Sequence, residues 1–277
     1  MRLTLPLVAI CVLTAACSPA PPAAETLPAA SAPASVPDVQ AREVSYSHNG
    51  TPLQGLLAWD ANQTGSRPGV LVVHEWWGHD DHARRQARRL AEAGYVALAL
   101  DMYGDGKHAE HPADAQKFAA EASADPAVVK ARFDAARAVL AADSHVDKDR
   151  IAAIGYCFGG GVVLNMARAG EDLDAVVSFH GALEPGVKTA PGAITARVLV
   201  LTGDADEFAP APVVEAFRQE MMAAKADARV VVYPGVKHSF TNPAAESHGM
   251  PQLGYDAEAD RQSWDEMLGL FTNIFPR

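Results

Sequence analysis

Short apolar runs separated by helical stretches dominate the chain after Pro37 and restrict the folds open to it. Strands that are apolar throughout are typical of a parallel sheet buried on both faces. The helical stretches between them supply the crossover connections that parallel strands require. The sequence therefore predicts one α/β domain with a mainly parallel central sheet and helices on both faces. The runs are GVLVVHE, YVALALD, RIAAIGY, LDAVVSFHG, ARVLVLTGD and ARVVVYPG.

An antiparallel hairpin is predicted ahead of these runs. The stretches REVSYSH and LQGLLAW flank Asn49-Gly50, a pair that favours a tight two-residue turn between strands. Helices are predicted from the apolar periodicity and from capping residues such as Asp125, which precedes Pro126. The predicted helices cover residues 79–94, 125–142, 159–170, 211–225 and 256–271.

The first 38 residues carry a targeting pattern instead of a folding pattern. Arg2 precedes an apolar run that is too short to span a bilayer, as in a secretory signal. This run ends in LTAAC, which resembles a bacterial lipobox, so residues 1–17 are interpreted as a signal with lipidation at Cys17. An ordinary signal cleaved near Ala20 is the alternative. Both interpretations predict an exported envelope protein, either lipid-anchored facing the periplasm or soluble in the periplasm.

Residues 18–38 contain six prolines among alanines and serines. Such a segment cannot bury apolar surface and is predicted to be a disordered tether. The folded domain is accordingly predicted to span residues 39–277.

Charge and cysteine content narrow the function further. The net charge is −11, which argues against nucleic acid as a partner. With Cys11 and Cys17 in the signal, Cys157 is the single cysteine of the folded domain, so an internal disulfide is excluded. An unpaired thiol in an exported protein is either buried and inert or used chemically.

The sequence around Cys157 favours a chemical use. Gly155-Tyr156-Cys157-Phe158-Gly159 places the thiol between a predicted strand and a predicted helix, with glycine two residues before and two after. This is the pattern of a nucleophile on a strained turn, where only small residues fit at the flanking positions. The helix N-terminus that follows stabilises a thiolate.

A base and an orienting acid follow in chain order. Asp204 comes after the strand RVLVLTG, and His238 comes after VVVYPGVK. Nucleophile, acid and histidine each at a strand end predict a Cys157–Asp204–His238 triad. Asp206 is interpreted as a loop cap.

With these motifs, the sequence resembles the dienelactone hydrolase family of α/β-hydrolases over about residues 40–275. The motifs that carry the resemblance are HEWWG, DMYG, GYCFGG, GDADEF and KHSF. The resemblance implies the same triad, an acid beside the thiol at Glu75, and an oxyanion hole formed by the backbone N–H groups of Trp76 and Phe158. A salt-bridged structural acid is the alternative for Glu75, whose pKa we expect to be raised by the neighbouring apolar rings.

The substrate pocket is predicted to include Trp77, Tyr103 and Lys107; the aromatic residues, Trp76 among them, could equally pack loops. Dienelactone-hydrolysing members hold the substrate carboxylate with arginines, which DMYGDGKH and HSFTN lack. Lys107 offers one charge, and a neutral or less anionic ester is therefore expected. The acids and histidines at 79–82 are interpreted as a solvated helix N-terminus instead of a metal site.

The functional prediction is a carboxymethylenebutenolidase-like carboxylic ester hydrolase that opens a small ester or lactone, acts as a monomer, and needs no metal or organic cofactor. A membrane is expected as a partner only through the lipid anchor. The alternatives are a general carboxylesterase or thioesterase on the same triad and a non-catalytic envelope binding protein. A thiol redox protein is disfavoured because the domain has no second cysteine.

Overall fold

The computed structural model describes residues 36 to 276. The predicted signal, the lipidation at Cys17 and nearly all of the predicted tether lie outside this range. Within it, no helix is both long enough and apolar enough to cross a membrane.

Eight strands form one sheet in the order β1-β2-β4-β3-β5-β6-β7-β8. β1 pairs antiparallel with β2, β2 pairs antiparallel with β4, and the remaining pairs are parallel. The predicted fold class is thus confirmed. The strands are β1 Val39–His48, β2 Thr51–Asp60, β3 Arg67–Val73, β4 Val96–Leu100, β5 Val146–Tyr156, β6 Ala175–Phe179, β7 Arg197–Gly203 and β8 Ala228–Tyr233.

The hairpin prediction at Asn49-Gly50 is also confirmed. His48 pairs with Thr51, which leaves a two-residue loop. Both loop residues have positive φ, 46° at Asn49 and 79° at Gly50, as a type I′ turn requires.

Helices cover both faces of the sheet. α1 and α6 pack on one face, and α3, α4 and α5 pack on the other. The helices are α1 Asp81–Glu92, α2 Pro112–Ser123, α3 Pro126–Ala141, α4 Phe158–Arg168, α5 Ala211–Ala223 and α6 Ala257–Ile274.

Sequence analysis missed α2. Its first residue is Pro112, its N-cap residue His111 makes no side-chain capping hydrogen bond, and only Ala115 and Ala122 are buried. A helix that buries two alanines leaves almost no apolar periodicity to detect.

The core alternates along each central strand. In β7, Val198 and Val200 join the cluster under α3, α4 and α5, whereas Leu199 and Leu201 join the cluster under α1 and α6. All four side chains are buried. Burial on both faces explains the unbroken apolar runs of the sequence and fixes the carboxyl ends of the strands as a rigid edge.

Candidate active site

The thiol of Cys157 sits on a strained turn between β5 and α4. Its backbone adopts φ 51° and ψ −114°, a left-handed conformation that a residue with a Cβ rarely adopts. The Cys157 N–H donates to Phe179 O at 3.0 Å. The side chain is partly exposed, and the turn therefore presents the sulfur at the carboxyl edge of the sheet.

The flanking glycines are required by close backbone approach. A Cβ at Gly155 would lie 2.1 Å from the carbonyl oxygen of Gly159. A Cβ at Gly159 would lie 2.3 Å from the carbonyl oxygen of Val73. Contacts this short do not occur in proteins, so the motif GYCFG is a steric requirement of the turn.

His238 lies after β8 and contacts two groups of the site. Its ring Nδ1 donates to Asp206 Oδ2 at 2.8 Å, and the ring also pairs with the Cys157 sulfur. Burial by itself lowers the pKa of His238, but the charges of Cys157 and Asp206 raise it to about 10. The arrangement favours an imidazolium held between a thiolate and a carboxylate.

Asp206, and not the predicted Asp204, is therefore the acid that contacts the histidine. Asp204 directly follows β7, is exposed, and accepts a hydrogen bond from Gly235 N–H. Two residues later the chain has turned inward, and Asp206 is only 2 % exposed. Asp206 also has the capping role assigned to it, since its Oδ1 accepts from Phe208 N–H at 2.9 Å.

Glu75 is fully buried, and its carboxylate is bound by the loop that carries the histidine. Ser239 Oγ donates to Oε1 at 2.7 Å, and Asn242 Nδ2 donates to Oε2 at 2.6 Å. The association with the thiol that the resemblance implies is thus replaced by these two hydrogen bonds. Burial raises the pKa of Glu75 to about 7, in agreement with the expectation, although both hydrogen bonds oppose the rise.

The two N–H groups predicted to form an oxyanion hole lie on either side of the thiol loop. Phe158 is the first residue of α4, so its N–H has no acceptor within the helix. Trp76 follows Glu75 on the β3–α1 loop, and its carbonyl oxygen accepts from Tyr103 Oη at 2.9 Å. The sequence motifs identified both residues, and neither hydrogen-bonding pattern conflicts with the predicted role.

The predicted pocket residues separate in the structure. Trp77 is 1 % exposed and stacks on His248 with ring centroids 3.6 Å apart, so it packs loops instead of lining a pocket. Tyr103 and Lys107 line a common cavity of about 380 Å³. Tyr103 is near the thiol, because the charge of Cys157 adds to burial in raising the pKa of its phenol.

The loop that carries Tyr103 and Lys107 is organised by Asp101, which the sequence motif DMYG contains but which was not singled out. Its carboxylate accepts hydrogen bonds from four backbone N–H groups, all on this loop or on β2. The donors are Gln54, Tyr103, Gly104 and Gly106. One buried side chain thereby fixes the course of the whole loop.

Residues 79–82 form a helix N-terminus as interpreted, but they are not a solvated face. Asp80 caps α1 by accepting from His82 N–H and Ala83 N–H. His79 and His82 are 6 % and 2 % exposed, and burial is the first cause that lowers the pKa of each. In the part of the chain that the structure describes, no three potential ligands are grouped to hold a metal ion.

A larger cavity of about 620 Å³ lies between the start of α1 and the loop after His238. Its lining includes Asn242 and His248 but, among the described residues, neither Cys157 nor His238. The reactive groups of the molecule are therefore beside this cavity and not in it.

Comparison with known proteins agrees with this architecture. The model of the dienelactone hydrolase family matches residues 53–275. A Yersinia pestis protein named "Putative carboxymethylenebutenolidase" is 31 % identical over 243 residues, covering 83 % of this chain and 87 % of its own.

Solved structures give the same result. A dienelactone hydrolase-like promiscuous phosphotriesterase from metagenomic libraries is 40 % identical with a TM-score of 0.82, covering 86 % of this chain and 99 % of its own. A structure described as a putative dienelactone hydrolase from Klebsiella pneumoniae is 30 % identical with a TM-score of 0.71, covering 84 % and 98 %. The chain therefore belongs to the dienelactone hydrolase family of hydrolases.

Proposed function

We propose that the protein hydrolyses a small carboxylic ester or lactone through a Cys157–His238–Asp206 triad. The single observation that carries the proposal is the position of His238, which pairs with the sulfur of a strained turn and hydrogen-bonds a buried carboxylate. This is the geometry in which a thiol becomes a nucleophile and an imidazole becomes its proton carrier.

In the first half of the reaction, the Cys157 thiolate attacks the carbonyl carbon and an S–C bond forms. The carbonyl oxygen becomes an oxyanion, which the N–H groups of Phe158 and Trp76 stabilise; each such donor is worth about 3 kcal/mol in other hydrolases. The C–O bond to the alcohol portion then breaks, and the His238 imidazolium gives its proton to the departing alkoxide. For a lactone, the released hydroxyl stays attached to the acyl group.

In the second half, water releases the acyl group. His238 takes a proton from a water molecule, the water oxygen bonds to the thioester carbon, and the S–C bond breaks. The products are a carboxylic acid and the original thiolate–imidazolium pair. Asp206 keeps the proton on Nδ1 throughout, which leaves Nε2 for these transfers.

A neutral or weakly anionic substrate is favoured by the surroundings. The stretch HSFTN has no arginine, and its Asn242 is already engaged with Glu75. Lys107 lies 3.7 Å from Asp105, which offsets its charge. A substrate carboxylate would thus meet no unpaired guanidinium on either predicted clamp segment.

The test is turnover of p-nitrophenyl acetate by the full chain and by Cys157→Ala. We expect turnover in the first and none above the buffer rate in the second. Iodoacetamide should stop turnover of the unmodified chain, with mass spectrometry locating the added group on Cys157. Cys157→Ala serves as the alkylation control for the two N-terminal cysteines. Turnover that survives in Cys157→Ala, or a folded chain with no turnover on any ester, lactone or thioester, contradicts the proposal; the latter favours the binding-protein alternative.

A panel of matched esters and lactones with and without a carboxylate assigns the substrate class. We expect higher kcat/KM for the neutral member of each pair. A thioester hydrolysed better than its oxygen ester would instead favour the thioesterase alternative.

Phosphotriester hydrolysis is a second candidate activity, favoured by the 40 % identical phosphotriesterase. In this reaction the thiolate would bond to phosphorus, an aryloxide would leave, and water would release the dialkyl phosphate. Turnover of paraoxon that is lost in Cys157→Ala supports the activity, and a single stoichiometric release of p-nitrophenol without turnover contradicts it.

We also propose that the protein is held in the bacterial envelope by lipid on Cys17. The support is the sequence alone: Arg2, the apolar run after it, and LTAAC. Cys17→Ser should move the protein from the membrane to the soluble periplasmic fraction, and membrane retention of that variant contradicts the lipid anchor.

A further inference from the structure

Two loops that meet in the core carry different parts of the site. The β3–α1 loop carries Glu75 and Trp76, and the loop after β8 carries His238, Ser239 and Asn242. Glu75 joins them, because one carboxylate oxygen accepts from Ser239 and the other accepts from Asn242. All three side chains are at most 2 % exposed.

Both donors are held in place by their own loop. Ser239 directly follows His238 and has a φ of 58°, a conformation that fixes the direction of its side chain. Asn242 N–H donates to Ser239 O at 2.9 Å, and Asn242 Oδ1 accepts from Ala244 N–H at 3.0 Å. The Asn242 amide is thereby oriented with its NH₂ group toward Glu75.

No cation neutralises the carboxylate at this point. The nearest basic group is His82 on α1, whose Nδ1 lies 3.9 Å from Glu75 Oε2. Burial lowers the pKa of His82 to about 3, so this ring is neutral. Glu75 is therefore held by two neutral donors, both from the histidine loop, which suits a connection between loops better than an ion pair.

We propose that Glu75 is a positioning residue that ties the loop of Trp76 to the loop of His238, with Asn242 as its dedicated partner, and that it does not act as the acid of the thiol. The inference rests on the proposed function, since what it positions is the oxyanion donor relative to the base. Loss of the connection lets the two loops shift, and small shifts of catalytic groups lower the rate of the chemical step more than substrate binding.

A reciprocal exchange separates this role from that of a proton-carrying acid. Glu75→Gln places an NH₂ group against the NH₂ group of Asn242. Asn242→Asp places two carboxyl groups against one another. In the double variant the introduced amide donates to the introduced carboxylate, so the hydrogen bond returns with its direction reversed. Asp at 242 also keeps an acceptor for Ala244 N–H.

The experiment measures kcat and KM on p-nitrophenyl acetate for the four chains. We expect each single variant to lose about 10- to 100-fold in kcat with KM changed less than about threefold, and the double variant to recover to within about fivefold. A double variant as slow as Glu75→Gln, with an unchanged circular dichroism spectrum, overturns the proposal, because a carboxyl proton at position 75 would then be required.

The rate of Cys157 alkylation by iodoacetamide gives a second readout that needs no turnover. Displacement of His238 should slow alkylation in the single variants, and the double variant should restore it. If Glu75 instead restrained the thiol, alkylation would be faster in Glu75→Gln and in the double variant alike. A failure of the proposed function appears as absent turnover in the unmodified chain, and the alkylation rates still decide the role of Glu75. If a single variant does not fold, Ser239→Ala removes one donor without adding a charge, and a kcat loss of about threefold or more is expected.

Discussion

Replacing Asp206 with asparagine tests the assignment of the orienting acid. The pKa of His238 rises from 6.5 to about 10 despite burial, which corresponds to about 5 kcal/mol in favour of the imidazolium at 1.36 kcal/mol per pH unit. Cys157 is the larger of the two raising influences. We therefore assign Asp206 slightly less than half, about 2 kcal/mol, or a rate factor of about 30.

Asp206→Asn also disturbs the proton on the histidine. The asparagine oxygen is needed by Phe208 N–H, which donates to Oδ1, so the NH₂ group turns toward Nδ1 of His238. The imidazole then carries its proton on Nε2, where it cannot accept one from the thiol or from water. Together with the electrostatic loss, we expect kcat/KM on p-nitrophenyl acetate to fall by about 10³-fold or more.

Asp204→Asn is the matched control, because it removes the same charge two residues away. Its side-chain oxygen can still accept from Gly235 N–H, and the residue is exposed, so kcat/KM should stay within about threefold. The reasoning is refuted if Asp204→Asn loses 100-fold while Asp206→Asn stays within tenfold of the unmodified chain. Comparable melting temperatures of the two variants establish that folding is not the cause.

Two further predictions concern the turn and Glu75. Gly159→Ala should abolish soluble folded protein, since its Cβ meets Val73 O at 2.3 Å, whereas Gly161→Ala meets Ala182 Cβ at 3.2 Å and should fold with a lower melting temperature; equal behaviour of the two variants contradicts the steric account. Burial raises the pKa of Glu75 from 4.5 to about 7, so its neutral form favours the folded state below pH 4.5 and this advantage is lost as pH rises through 7. Relative to Glu75→Gln, the unfolding free energy by urea titration should fall by about 3 kcal/mol over that interval, and a constant difference contradicts the assignment.

The sheet was predictable because burial on both faces leaves continuous apolar runs. Each central strand, such as β7, supplies side chains to both clusters, so the pattern has no polar interruptions to confuse it. α2 was not predictable for the opposite reason, since it buries two alanines and lies mostly in solvent. Local pattern reports burial, and elements with little burial leave little pattern.

The site was predictable only as far as short-range sterics reach. The glycines around Cys157 belong to one turn, and their spacing states its geometry. The choice between Asp204 and Asp206 depends on where the chain bends after β7, which residue types alone do not fix. The contacts of Glu75 join residues 164 and 167 positions apart, and no pattern within a motif contains such a pairing.

Asp101 has a consequence for how this enzyme family member can change. Because its carboxylate gathers the backbone amides of the loop, the shape of that loop does not depend on which side chains it displays. Tyr103 and Lys107 are thus mounted on a platform that would survive their replacement. Laboratory selection for new substrates should accumulate changes at those two positions and leave Asp101 untouched.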